Sequence, residues 1–201
     1  MIIYLIRHGE TIDGAELRYK GHTDVPISAN GRSQINRLAL YLKDLYKPNR
    51  LSNVFCSDLC RAIESANIIA KEFGLKESIK PQLRERHFGK WEGKTFDEIN
   101  KDYPDDFKKW AQDPLRFSPI DGESTQDVYN RVMPFFNSLI IEHSDQDIAI
   151  ISHGGVNRII LCSLLCIPLE HIFRIEQDFA ALNIIEFHNS YPVIKLLNYK
   201  A

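Results

Sequence analysis

The chain opens on an uninterrupted apolar run, Ile2 to Ile6, which is short, rich in β-branched residues and soon ended by Gly9. Such a run predicts a strand covered on both faces, as in a parallel sheet flanked by helices. Between Asn30 and Tyr46 the residues Ile35, Leu38, Leu42 and Leu45 recur at spacings of three and four, an amphipathic helix that stops before Pro48. Asn53 to Ser57 predicts a second strand. Asp58 to Phe73 predicts a second helix, with Leu59, Ala62, Ala66, Ile69 and Phe73 turned inward and Gly74 at its end.

The same alternation returns late in the chain. Ser124 to His143 carries an apolar stripe of Val128, Val132, Phe135, Phe136 and Leu139; Asp147 to Ser152 is a buried strand and Gly155 to Leu165 a helix; Ala181 to Phe187 and Val193 to Leu197 are closing strands. Between these halves the pattern changes. Lys76 to Asp121 holds both Trp residues, four of the nine Pro, and short helical pieces at Phe96 to Tyr103 and Asp105 to Gln112. The prediction is an α/β fold: a mostly parallel open sheet with helices on both faces, and a mainly helical insertion over the active site. A length of 201 residues, 44% of them apolar, fits a single domain over 1–201 with a lid-like insertion at 76–121.

Charge changes this picture only by exclusion. With 25 Lys plus Arg against 27 Asp plus Glu the net charge is −2, which leaves no basic excess for generic binding of nucleic acid. The first apolar run has no basic residues before it and is stopped by Arg7-His8, unlike a secretory leader, so a cytoplasmic protein is expected. The stretch Ile159 to Leu169, interrupted by Ser163 and Pro168, falls far short of the roughly 20 residues that cross a bilayer, so no membrane partner is expected. The cysteines pair as Cys56/Cys60 and Cys162/Cys166, each four apart, a spacing that brings two thiols to one helix face. Neither pair has CxxC spacing and Cys56 falls in a strand. Reduced, buried thiols are expected rather than a metal site.

Three predicted strand ends share one feature: the first delivers Arg7-His8-Gly9-Glu10, the second Ser57-Asp58-Leu59-Cys60-Arg61, and the third Ser152-His153-Gly154-Gly155. In open α/β sheets ligands sit beyond the carboxyl ends of strands, where helix N-termini present free N–H groups. Two Arg and two His gathered at that rim suit an anion, since guanidinium forks hold phosphate oxygens in a bidentate manner. Arg7 and His8 can serve one ligand only if the backbone turns after the strand, a turn that Gly9 permits. A neutral imidazole beside a bound phosphate is a competent nucleophile, and phosphoryl transfer needs mainly positioning and charge neutralisation. Arg7, Arg61 and His153 are the candidate phosphate cage and His8 the candidate nucleophile. The proton for the leaving alkoxide then falls to Glu85, in the segment LRERHFGKWEG that opens the insertion.

These motifs resemble the histidine phosphatase superfamily, the phosphoglycerate mutase-like family. The likeness runs from Met1 to about Phe187 through RHGET at 7–11, GHTDVPIS at 21–28, NGRSQ at 30–34, CSDLCRAIESA at 56–66, LRERHFGKWEG at 83–93, DGES at 121–124 and ISHGG at 151–155. The resemblance implies that His8 becomes phosphohistidine and that Arg7, Arg61 and His153 line the phosphate pocket. It makes Glu85 general acid and then general base, and it implies no metal or other cofactor. Thr11 and the helix-start residue Gly154 extend the phosphate-binding set. The family's Asn seven positions after the first Arg is here Gly14, which leaves one donor to be supplied by Thr11 or a backbone N–H.

The short insertion, WEG after the acid, Tyr103-Pro104 with Trp110, DGES and the late Arg174-Ile175-Glu176-Gln177 are most similar to the small α-ribazole phosphatases of cobalamin synthesis. The substrate implied is a small phosphorylated metabolite. The alternatives are a phosphoglycerate mutase (ERHFG resembles the ERHYG of mutases), a phosphatase for phosphoserine or a sugar phosphate, and a non-catalytic phosphate-binding module. Specificity is expected in the insertion and in the loop Lys20 to Thr23, with Lys20, Gly21 and His22 as candidate substrate contacts and His87 beside them at the pocket mouth. Trp91 and Trp110 are candidates for an aromatic floor or for packing of the insertion. The apolar C-terminal strand region is a candidate homodimer edge. Activity is expected to trace a bell in pH, falling as His8 gains a proton on the acid side and as Glu85 loses one on the alkaline side.

Overall fold

A computed structural model describes residues 1–14, 18–45 and 51–201. The strands are β1 (Ile2–Arg7), β2 (Leu51–Cys56), β3 (Glu77–Ile79), β4 (Asp147–Ser152), β5 (Leu182–His188) and β6 (Tyr191–Tyr199), and they form one sheet in the order β3-β2-β4-β1-β5-β6. β3, β2, β4 and β1 run parallel, while β5 and β6 pair antiparallel to close the other side. The helices are α1 (Ala29–Leu45), α2 (Cys60–Glu72), α3 (Phe96–Asp102), α4 (Pro104–Gln112), α5 (Thr125–Glu142) and α6 (Gly154–Leu164).

Strand alternation sorts the core into two layers. Ile3, Leu5, Phe55, Ile148 and Ile150 face α5 and α6, where Val128, Val132, Phe136, Leu139, Val156 and Ile160 meet them. Tyr4, Ile6, Val54, Ala149 and Ile151 face α1 and α2, against Ile35, Leu38, Leu42, Ala62, Ala66 and Ile69. Each fully buried Ile or Leu contributes about 1.5–3 kcal/mol, so the central strands are the best-anchored part of the molecule, and the rim they carry inherits that rigidity.

Two expectations need correction. The insertion was expected to open at Lys76, but Glu77–Ile79 pair in parallel with β2 as the edge strand β3. Its three residues are half-buried or exposed, and a strand with one covered side and a polar sequence leaves no apolar run to read. Phe135 and Phe73 pack inward against the core as expected, partly buried at the margins of their helix stripes. The thiols are not all buried: Cys56 and Cys162 are, Cys60 is half-covered, and Cys166 is exposed at a left-handed residue (φ 55°) just past α6. Burial pushes the Cys56 and Cys60 thiols up to about 12, Cys60 with help from a hydrogen bond to Asp24, which disfavours the thiolate form. After the strand Arg7 and His8 both reach the one cavity, as expected, and the backbone of Gly9 lies against α1, where a Cβ would stand 2.6 Å from the carbonyl oxygen of Gly31. The expected end of the first helix at Tyr46 and the Pro48 after it lie outside the described residues.

Among the described residues no helix is long and apolar enough to cross a membrane.

Candidate active site

Register brings the three strand ends level. Arg7 is the Cα partner of Ser152, Cys56 that of Ile151, and the next backbone N–H groups continue the ladder: His8 donates to the Ser152 carbonyl (3.0 Å) and Ser57 to that of Ile151 (3.3 Å). His8, Ser57 and His153 therefore leave the sheet at one height, on its carboxyl edge. Ser65 of α2 fixes the path after His8 by accepting the Gly9 N–H at 3.1 Å.

The cavity above this rim measures about 430 Å³, and its wall includes Arg7, His8, Thr11, Arg61, Glu85 and Gly154, with Lys20 and Gly21 at the side. His8 is buried, and its Nδ1 lies 2.8 Å from the Gly9 carbonyl oxygen. A carbonyl only accepts, so Nδ1 carries the proton in the neutral ring and the lone pair resides on Nε2. The His153 ring stands edge-on to His8, with centroids 5.1 Å apart. Its Nε2 lies 2.7 Å from the Ser57 hydroxyl, while Nδ1 is buried with no partner. Arg7 Nε and Thr11 Oγ1 are likewise buried without a partner. Arg7 and Thr11 belong to the cavity wall, whereas His153 is not a wall residue and adjoins it through the His8 ring. Unpaired polar atoms so placed mark where an anionic ligand would complete the hydrogen bonding.

The cations are fixed by backbone carbonyls rather than by acids. Arg61, buried in the first turn of α2, donates to the carbonyls of Thr23 (2.9 Å) and Gly21 (2.7 Å), which holds the 21–23 loop against the rim. Arg7 donates to the Gln177 carbonyl (2.6 Å) and lies over the Phe179 ring at 4.0 Å. Burial pushes Arg7 down to about 10, with Glu85 opposing the shift and Arg158 adding to it. Burial, with help from Arg61 and Arg7, holds His8 well below the ordinary histidine value; His153 is depressed by burial, Arg61 and His8.

Glu85 hangs over the cavity from an irregular segment, its carboxylate accepting from the backbone N–H of Arg86 (2.9 Å) and of Gly155 (3.1 Å). A Cβ on Gly155 would stand 2.5 Å from the Glu85 Oε1, so any larger residue there would make the carboxylate shift.

Some sequence candidates fall elsewhere. His22 does not line the cavity: it stacks on His87 (4.6 Å, 25°) and points Nε2 at the Glu85 carbonyl at 2.9 Å, behind the acid. Trp91 is buried against Phe117, and Trp110 joins Phe96, Phe107 and Phe173 in a cluster; the aromatic wall of the cavity is Tyr19, Phe88, Phe173 and Phe179 instead. At Gly14 a Cβ would meet Glu10 Cγ at 2.7 Å and the Phe179 ring at 3.4 Å, so local packing favours glycine. Sequence reading also missed Arg158, whose Nε is held by the Ile175 carbonyl (2.8 Å) while its guanidinium faces the cavity. Its position one helical turn beyond Gly154 was the available signal.

Both buried rings have consequences for stability. In the unfolded chain each takes a proton near pH 6.5, but in the folded protein each does so only well below that. The unfolded state therefore binds more protons in this window. Stability is complete above about pH 6.5 and falls as pH drops, by up to about 1.4 kcal/mol per pH unit for each ring. Thermal melts from about pH 7.5 to 5 are expected to show a steady loss of Tm, and a constant Tm across that range would contradict the burial of neutral His8 and His153.

The family model for the histidine phosphatase superfamily (branch 1) matches residues 3–200, and the chain belongs to that superfamily. It is a phosphatase of the α/β phosphoglycerate mutase-like fold. The chain is 28% identical to the adenosylcobalamin/alpha-ribazole phosphatase of Escherichia coli over 100% of its length and 97% of the relative's. It is 30% identical to phosphoserine phosphatase 1 of Hydrogenobacter thermophilus over 98% of its length and 91% of the relative's. The crystal structure of the alpha-ribazole phosphatase from Shigella flexneri superposes with a TM-score of 0.88 at 29% identity, covering 99% of this chain and 96% of that one.

Proposed function

We propose that the chain is a phosphomonoesterase that works through a phosphohistidine at His8 on a small phosphorylated metabolite. The observation that carries this is the His8 ring: Nδ1 is committed to the Gly9 carbonyl, and the free lone pair is on the nitrogen of a buried, neutral imidazole beside Arg7 and Arg61. In the first step His8 Nε2 attacks phosphorus and the bond to the leaving oxygen breaks, while Glu85 in its acid form gives that oxygen a proton. In the second step the Glu85 carboxylate takes a proton from water, the water oxygen attacks phosphorus, the P–N bond breaks, and inorganic phosphate leaves. Arg7, Arg61, His153 Nδ1, Thr11 Oγ1 and the Gly154 N–H neutralise the phosphoryl oxygens in both steps. Thr11 supplies the donor that an Asn at position 14 provides elsewhere in the superfamily.

For the leaving group, α-ribazole 5′-phosphate is the first candidate. The cavity wall holds four aromatic rings suited to a flat base, and two of the relatives compared above carry that substrate in their names. The 76–121 insertion, less its edge strand β3, acts as the lid over it.

Mixing the protein with phosphorylated metabolites, including α-ribazole 5′-phosphate, phosphoserine, sugar phosphates and 3-phosphoglycerate, tests the proposal. Release of inorganic phosphate together with acid-labile phosphate on a His8 peptide is expected. Interconversion of 2- and 3-phosphoglycerate without phosphate release would replace the phosphatase by a mutase, and binding without turnover of any ester would replace it by a phosphate-binding module.

A further inference from the structure

The segment that carries Glu85 has no regular partner: between the 3₁₀ turns Pro81–Leu83 and Gly89–Trp91, residues 84–88 belong to neither helix nor sheet. Backbone groups there need partners from elsewhere, and whatever supplies them sets where the carboxyl stands. One side chain meets three carbonyls in and just before this stretch. Arg131, nearly two turns into α5, donates through Nη1 to the carbonyls of Gln82 (2.9 Å) and Arg84 (2.8 Å), and through Nη2 to that of Glu85 itself (3.0 Å). The rest of the guanidinium forms a bidentate pair with Glu123, Nε to Oε1 and Nη2 to Oε2, both at 2.9 Å.

Glu123 extends the hold to the far side of the acid. Its Oε2 accepts the His87 N–H (2.9 Å), its carbonyl accepts from Arg86 Nε (2.7 Å), and its own N–H donates to the His87 carbonyl (2.8 Å). Residues 82, 84, 85, 86 and 87 are therefore tied to one Arg–Glu pair. That pair is anchored next to the capping box of α5, in which Ser124 and Asp127 bond reciprocally. The guanidinium is not part of the cavity wall, and its charge is met by Glu123, so it has no contact with the reacting atoms.

We infer that Arg131, with Glu123, is the positioning residue that holds the Glu85 carboxyl over the leaving oxygen, a role that rests on the reading of Glu85 as general acid given above. Planarity is why the residue is Arg: five donors in a rigid fork span three carbonyls and a carboxylate, which a Lys ammonium cannot do. A displacement of the acid by about 1 Å is enough to cost on the order of 100-fold in rate.

The test is the leaving-group dependence of kcat/KM, which in a two-step mechanism reports phosphorylation of His8 and is blind to the later hydrolysis. For Arg131→Met the expected loss is about 10- to 100-fold on an alkyl phosphate and under about threefold on p-nitrophenyl phosphate, whose leaving group needs no proton. Inhibition by inorganic phosphate is expected to stay within about twofold of wild type, because the cage is untouched. In a Glu85→Gln background the same substitution is expected to cost almost nothing further, since the acid it positions is already gone.

Equal losses on both esters, weakened phosphate inhibition, or full additivity with Glu85→Gln would each overturn the inference and leave Arg131 a general staple of the fold. If Arg131→Met does not fold, Glu123→Gln and Arg131→Lys carry the same contrast. If Glu85→Gln itself loses the two esters equally, the acid assignment fails; if it discriminates between them and Arg131→Met does not, only the positioning role fails.

Discussion

His8→Asn is expected to lower kcat/KM on every phosphomonoester by about 10⁴-fold or more, the scale seen when a covalent nucleophile is removed. The substitution suits the site because an Asn amide can donate toward the Gly9 carbonyl as Nδ1 does, and the cage of Arg7 and Arg61 is held by carbonyls of Gln177, Gly21 and Thr23 that the change does not touch. The variant is therefore expected to stay folded and still bind inorganic phosphate, while forming no acid-labile phosphoprotein when quenched with substrate. Residual turnover within tenfold of wild type, or a phosphoprotein formed at another residue, would remove His8 from the nucleophile's role. The acid side of the activity profile is tied to the same ring: because burial and two guanidiniums keep it neutral, the fall in activity from its protonation lies below pH 6.5, not at it.

The rim was legible because strands buried on both faces announce themselves as short apolar runs, and the residues after such runs in an α/β fold face the ligand. Arg7-His8, Ser57 and His153-Gly154 needed no knowledge of strand order to be grouped. The order itself was not readable: nothing in Asp147 to Ser152 says that this strand inserts between β1 and β2, and it is that insertion which sets His153 against His8. β3 escaped because three edge residues carry no periodicity.

The parts of the site that were missed share a different cause. Arg158, Arg131 and the buried Gln177 are fixed by backbone carbonyls, or fix others through them, and a carbonyl leaves no trace in residue type. Gln177 belongs to a buried amide network with Asn157 and Asn183, whose side chain in turn donates to the Leu5 carbonyl of β1 (3.0 Å). Arg7 is thus braced by the strand it ends and by the loop after the 3₁₀ turn Leu169–Arg174. Gly9 tells the same story from the other side: it is demanded by the close approach of the Gly31 backbone, which spacing along the chain does not encode.

Glu85→Gln is expected to separate the two halves of the reaction. On an alkyl phosphate, where the departing alkoxide needs a proton as its bond breaks, kcat/KM is expected to fall by about 10²- to 10⁴-fold, the range for losing a positioned acid. On p-nitrophenyl phosphate the leaving group is already a weak base, so kcat/KM is expected to stay within about tenfold of wild type. Hydrolysis of the phosphohistidine still calls for a base near the attacking water, so kcat on the aryl ester falls and the phosphoprotein accumulates. Rapid mixing is then expected to give a burst of p-nitrophenolate approaching one per active site, followed by a slow steady state that wild type does not show. The amide keeps one oxygen for either the Arg86 or the Gly155 N–H and offers the other an NH₂ group, a local loss of one acceptor that acts equally on both esters. The contrast between esters therefore isolates proton transfer from any such displacement. Identical losses on the two substrates with no burst would mean that the carboxylate over the cavity orders the start of α6 and does not move a proton.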